Sequence, residues 1–156
     1  MNKEIIKVIN QIASEITLLF HNVLEDDSIS INDKVGKNTL KDSNLRKFFE
    51  VFVKQSDSVI IECLLNHYVD YIESGRGEKY KKRPPISALR DWALKNGIAT
   101  DNHTLFAIST AIWRDGYSPR PILSTLDNLI ENKFESVWSL DLFKAIIDEL
   151  EKYFNT

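Results

Sequence analysis

The chain has 156 residues, 43% of them apolar and 28% charged, enough for one domain with a real core and a well-solvated surface. Its formal net charge of -3 excludes nucleic-acid binding by bulk electrostatics, so any such contact needs a local patch. The single cysteine, Cys63, excludes an internal disulfide and a Cys/His zinc centre, and no run of about 18 apolar residues exists to span a membrane.

The opening M-N-K-E-I-I-K-V-I-N mixes acid and amide into its apolar pattern and lacks the core of a secretory signal, so synthesis in the cytoplasm is expected. Residues 2–24 read as one long helix. Ile5, Ile9, Ile12, Ile16, Leu19 and Val23 follow a 4-3-4-3-4 spacing, with Lys3, Lys7, Asn10 and Glu15 off the seam. Such a seam packs either on its own domain or on a neighbouring subunit. Residues 25–38 are polar and turn-rich. The alternation from Ser28 to Asn32 fits a short edge strand or a flexible loop.

Asp42, Ser43 and Asn44 are capping residue types for a short helical turn. Phe49–Lys54 and Ser58–Leu64 are rich in Val, Ile and Phe and flank Gln55, Ser56 and Asp57, which predicts a β-hairpin. Cys63 falls in its second strand as a small apolar residue. A lone hairpin is marginal. It must pair with the Ser28 segment, pair with another subunit, or be covered by helices.

A short helix from Asn66 to Ser74 should end at Gly75, with Tyr68, Tyr71 and Ile72 on one face. Residues 75–83 form a basic loop. Pro84-Pro85 opens the next helix, whose buried stripe reads Ile86, Leu89, Trp92 and Ala93, and Asn96-Gly97 closes it. Asp101 and Asn102 can cap a helix lined by Leu105, Ile108, Ala111 and Ile112 that ends at Asp115-Gly116. Pro119 and Pro121 enforce an extended connection. Leu123, Leu126, Leu129 and Ile130 mark a further helix, and Leu140, Phe143, Ile147, Leu150 and Phe154 mark the last.

No nucleophile elbow, phosphate loop, dinucleotide fingerprint or metalloprotease motif occurs, and His21, His67 and His103 are far apart. Glu62, Asp70 and Glu73 have nothing in the sequence to perturb them. No enzymatic activity, cofactor or metal is therefore expected. Two features stand out instead. Arg76, Lys79, Lys81, Lys82 and Arg83 gather five positive charges around Tyr80 against one acid, Glu78. The tract is a solvated loop, a contact for an acidic protein surface, or a salt-sensitive contact for nucleic-acid phosphates. Trp113, Arg114, Tyr117 and Arg120 surround the Asp-Gly turn and the Pro-Arg-Pro element, and these residue types dominate interface hot spots. Trp113 is either core or surface, and Arg114 can pair with Asp115 or Asp91. Arg120, held between prolines, is expected to present its side chain to a partner.

The order of motifs adds a resemblance. It runs T-L-x-D-S-x-L (39–45), the hairpin, Y-x-x-Y-I-E-S-G-R (68–76), P-P-I-x-A-L-x-x-W-x-x-x-N-G-I (84–98), A-I-x-x-A-I-x-R-D-G (107–116) and P-R-P-I-L (119–123). This resembles the small tail-completion, or head–tail joining, proteins of tailed double-stranded DNA bacteriophages. The chain departs from the family pattern at Thr39-Leu40, which lacks a glycine, at Ser74-Gly75-Arg76, and at Ile122, where phenylalanine is common. The resemblance implies a non-enzymatic virion protein that forms a ring in the neck or upper tail. That ring would touch copies of itself, the portal or connector, and tail proteins, with non-specific DNA contact in the channel. The alternative is a small adaptor that binds nucleic acid through residues 76–83. The expected fold is α+β and mostly helical: one domain over 1–156, a long N-terminal helix (1–24) available as an oligomerisation arm, a hairpin or small antiparallel sheet, short helices and a C-terminal helix.

Overall fold

The computed structural model describes residues 3–155. The fold is mostly helical α+β, with two small antiparallel sheets. Helix α1 (Lys3–Glu25) is the axis; residues 1 and 2, included in the helix expected from sequence, lie outside the described residues. Ile9, Ile12, Ile16, Phe20, Val23 and Leu24 are all buried. Burying each such side chain contributes roughly 1.5–3 kcal/mol, so this one face supplies much of the driving force for folding. The helix therefore packs chiefly within its own subunit.

Asp26 interrupts the helix. Its carboxylate accepts the Ser28 N–H at 2.9 Å and so caps α2 (Asp27–Ser30). The Ser28–Asn32 alternation, read from sequence as a short edge strand or a flexible loop, is thus largely one helical turn, because the local cap outcompetes extended backbone. Only Ile31–Asn32 (β1) is extended, and it pairs with Lys37–Asn38 (β2) rather than with the main hairpin. Asn38 fastens this small ribbon to α1. Its amide donates to the Leu24 carbonyl at 2.7 Å, and its side-chain oxygen accepts the Leu40 N–H at 2.9 Å.

Helix α3 (Asn44–Lys47) seats Leu45 in the core. Ser43 precedes it, but its hydroxyl donates back to Leu40 instead of capping the helix. The hairpin follows as β3 (Glu50–Gln55) and β4 (Val59–Leu64), with Val51 opposite Cys63 and Val53 opposite Ile61. Strand periodicity sends Val51, Ile61 and Cys63 toward the core and leaves Phe52, Ile60 and Leu64 exposed. Burial raises the Cys63 thiol pKa, as suits an inert packing residue. Helix α1 covers the hairpin's inner face, and Phe20 stacks on Phe49 with centroids 4.0 Å apart. That helical cover, not a third strand, is what stabilises the hairpin.

Helix α4 (Val69–Ser74) buries Val69 and Ile72 and ends at Gly75, while Tyr71 points outward. Helices α5 (Ile86–Lys95) and α6 (Asn102–Asp115) pack on each other. Asp101 caps α6 by accepting the Thr104 N–H at 3.0 Å. In α5 only Ala93 is buried, and Trp92, expected in the stripe, is 48% exposed. The main core cluster draws no described residue from α5 or α6, so this pair is a peripheral hairpin with little to cover a full stripe.

Pro121 has φ -78° and ψ 66°, and the Ile122 N–H donates to the Arg120 carbonyl at 2.8 Å. This inverse γ-turn bends the expected extended connection straight into α7 (Ile122–Lys133). Glu73, weighed from sequence as an acid, caps α7: its carboxylate accepts the Leu123 N–H at 2.7 Å and the Ser124 N–H at 3.1 Å. A π-helical turn, Phe134–Trp138, joins α7 to α8 (Ser139–Phe154) in one continuous helical stretch. The extra residue in that turn swings Trp138 onto α1, where its indole N–H donates to Glu15 at 2.6 Å. No described helix is long and apolar enough to cross a membrane.

Candidate interaction surface

The residues singled out from sequence meet at one corner, where the chain leaving α4 crosses the chain leaving α6. Gly75 and Gly116 both have positive φ, 66° and 63°. A side chain at Gly75 would come 2.6 Å from the Pro119 nitrogen, and one at Gly116 would strike the Arg76 carbonyl. Only glycine permits the crossing. It is closed by a two-way bridge: Arg76 N–H donates to Tyr117 O, and Tyr117 N–H donates to Arg76 O, each at 2.8 Å.

The basic tract is strapped to α6. The Lys79 N–H donates to the Trp113 carbonyl at 2.6 Å, and the Trp113 indole N–H donates to the Lys81 carbonyl at 3.0 Å. The Arg76 guanidinium donates to the carbonyls of Tyr80 and Lys82. The Arg83 guanidinium lies 5.1 Å from the Trp113 ring centroid and 5.2 Å from that of Phe106. Lys79 and Lys81 adopt positive φ, 52° and 56°, an arrangement uncommon outside glycine that these straps hold in place.

The five charges therefore divide. Arg76 and Arg83 work within the subunit. Lys79, Lys81 and Lys82 project to solvent around exposed Tyr80, and the Lys81 ammonium sits 5.0 Å from the Tyr80 ring. Trp113 is half-buried, with its polar edge already used. Arg114 forms a two-pronged pair with Asp115, at 2.7 and 2.8 Å, and not with Asp91. Tyr117 is half-buried, and burial raises its phenol pKa.

Arg120 is a correction. It was expected to be presented to a partner, yet it is half-buried and donates to the Thr39 hydroxyl at 2.9 Å and the Ser30 carbonyl at 3.2 Å. Burial lowers its pKa. The prolines hold the backbone, as sequence indicates, but they aim the side chain inward at the β1–β2 ribbon. Nearby, the Ser118 hydroxyl donates to Asp33 at 2.5 Å and lowers that carboxyl's pKa.

Sequence reasoning did not single out the outer face of α8 as a surface. Leu140, Phe143, Ile147, Leu150 and Phe154 mark a helix as expected, but they face solvent, while Trp138, Leu142 and Ala145 pack inward. The signal was present as a second apolar stripe beside the first. Among the described residues, no three of His, Cys, Asp and Glu converge as a candidate metal-binding group. Comparison with protein-family models, curated proteins and solved structures finds no match.

Proposed function

We propose that this chain is a structural protein of a tailed-phage particle that assembles by subunit contacts into a ring in the neck or upper tail. The observation that carries this reading is that the ordered motifs resembling tail-completion proteins form one physical unit. Y-I-E-S-G-R, R-D-G-Y and P-R-P-I-L interlock at the Gly75/Gly116 crossing, and Glu73 of the first motif caps the helix that the last one starts. The motifs thus serve a common scaffold, and the outer surfaces remain for contacts. A ring requires unlike faces on one subunit. The exposed side of the hairpin, with Phe52, Ile60 and Leu64, offers one such face and an unpaired strand edge. The lysine loop offers another, suited to an acidic surface on a connector or tail partner, where it would set docking rate and register.

Mass measurement and negative-stain imaging of the purified chain test the reading. Ring particles, alone or on addition of host-phage neck components, are the expected result. A chain that forms no ring and is missing from purified virions overturns it. A second reading, a nucleic-acid adaptor, draws on one observation: Lys79, Lys81, Lys82 and Tyr80 project together, joining phosphate-binding charge to a stacking surface.

A further inference from the structure

Among the described residues, the outer apolar face of helix α8 is left largely open to solvent. Leu140, Phe143, Ile147, Leu150 and Phe154 recur at a 3-4-3-4 spacing, the a/d repeat of a helix–helix seam, and Ile146 lies beside them. Leu140 and Phe143 are each 64% exposed and Phe154 is 77% exposed. These six side chains present on the order of 600 Å² to water, at the upper limit of the largest patch on an ordinary monomer. Flanked by exposed Lys144 and Glu151, the face approaches the roughly 800 Å² that each partner contributes to a standard interface.

We propose that this face binds a second copy of the chain, α8 against α8 in antiparallel orientation, about a two-fold axis at Ile147. The seam is self-complementary in that register. Leu140 meets the partner's Phe154, Phe143 meets the partner's Leu150, and Ile147 meets its own copy. The flanking charges fix the orientation. Lys144 and Glu151 both occupy the position that follows a d residue, seven apart along one edge of the seam. Antiparallel packing sets such positions against each other, so Lys144 faces the partner's Glu151, and the pair occurs twice. Parallel packing would instead place Ile146 beside the partner's Glu151 and form no ion pair. Neither Lys144 nor Glu151 has an ion pair within the subunit among the described residues. The inward face of α8 stays on α1, which makes the contact a four-helix layer, α1–α8–α8–α1.

This inference is independent of the virion reading. A two-fold contact closes at two copies, whereas a ring needs a head-to-tail contact, and a ring keeping both would have two back-to-back layers. Light scattering of the full chain over about 1–100 μM is expected to give at least twice the 18.0 kDa mass of one copy, with two copies as the smallest associated species. Phe143→Glu and Leu150→Glu should each weaken self-association at least tenfold without changing the dilute chain's circular dichroism, because both residues are exposed. Lys144→Glu should weaken the pair, and adding Glu151→Lys should restore it. In a Cys63→Ser background, Leu140→Cys with Phe154→Cys should cross-link on oxidation, and Leu140→Cys alone should not. A single-copy mass throughout, an association indifferent to Phe143→Glu, or cross-linking by Leu140→Cys alone would overturn the proposal. Rings whose mass and layering are unchanged in the Phe143→Glu variant would sink this contact and leave the ring reading standing. Two-copy particles that never form rings would do the reverse.

Discussion

Arg120 spends its charge inside the subunit. Its guanidinium ties the turn before α7 to the β1–β2 ribbon through Thr39 and Ser30. Truncation would leave the Ser30 carbonyl short of a donor, so Arg120→Ala is expected to cost about 1–3 kcal/mol in urea unfolding. Arg120→Lys, which keeps the charge but lacks the forked geometry, should cost less. An unchanged midpoint in Arg120→Ala would return this side chain to the list of outward contacts. Sequence alone could read the two prolines but not the aim of the side chain, because its partners lie 81 and 90 positions away. Asp101 is a local case that sequence did reveal. Hydrogen bonds from Thr104 lower its carboxyl pKa. A group whose folded pKa is depressed contributes stability that is present above the unfolded value, about 3.9, and lost as pH falls through the folded one. Asp101→Asn retains a capping side chain without that titration. Its urea midpoint should therefore fall less between pH 5 and 2 than the unmodified chain's, and parallel pH profiles would exclude the cap as a source of the acid limb.

Among the elements, α1 and the hairpin form the cooperative centre. Phe20 is fully buried and stacked on Phe49, so Phe20→Ala should cost about 3–5 kcal/mol and loosen the hairpin with the helix. Hydrogen exchange is the measurement: protection should drop together in α1, β3 and β4. Loss confined to α1 would show that the hairpin is held by something other than its helical cover. The elements themselves were legible because periodicity and turn residues are local signals. The hairpin ends within a residue or two of its predicted limits, and α1 and α6 start and stop near their signals. What covers each element was not legible. The Ser28–Asn32 alternation lost to the Asp26 cap. Trp92 sits on an apolar stripe that its small hairpin cannot bury. On α8, two adjacent stripes at the same spacing look alike in sequence, yet one meets α1 and the other meets water. Periodicity shows that a face is apolar; it does not show whether its partner is in the same chain.

On the scale of the whole molecule, charge is unevenly distributed. A chain of net charge -3 carries three lysines on one strapped loop beside an exposed tyrosine. The loop's conformation depends on Arg76, Arg83 and Trp113, not on the lysines, so shape and charge are separable here. Lys79→Ala, Lys81→Ala and Lys82→Ala combined should change stability by no more than about 0.5 kcal/mol, as befits exposed side chains. Arg76→Ala, by contrast, should release the loop from its Tyr80 and Lys82 carbonyl contacts and lower the melting temperature. If the loop docks on an anionic partner, the triple variant loses affinity and its salt dependence flattens. For duplex DNA each lysine that meets a phosphate contributes about 0.9 to the slope of log affinity against log salt. Three engaged lysines would therefore remove a slope of about 2.7, whereas an acidic protein surface would show a shallower change with little effect on DNA binding. Titration of the intact chain and the triple variant against a short duplex and against an acidic protein surface, each at several salt concentrations, decides between the partners. Identical curves for the two proteins in every titration would mean that the lysines serve only to keep the loop hydrated.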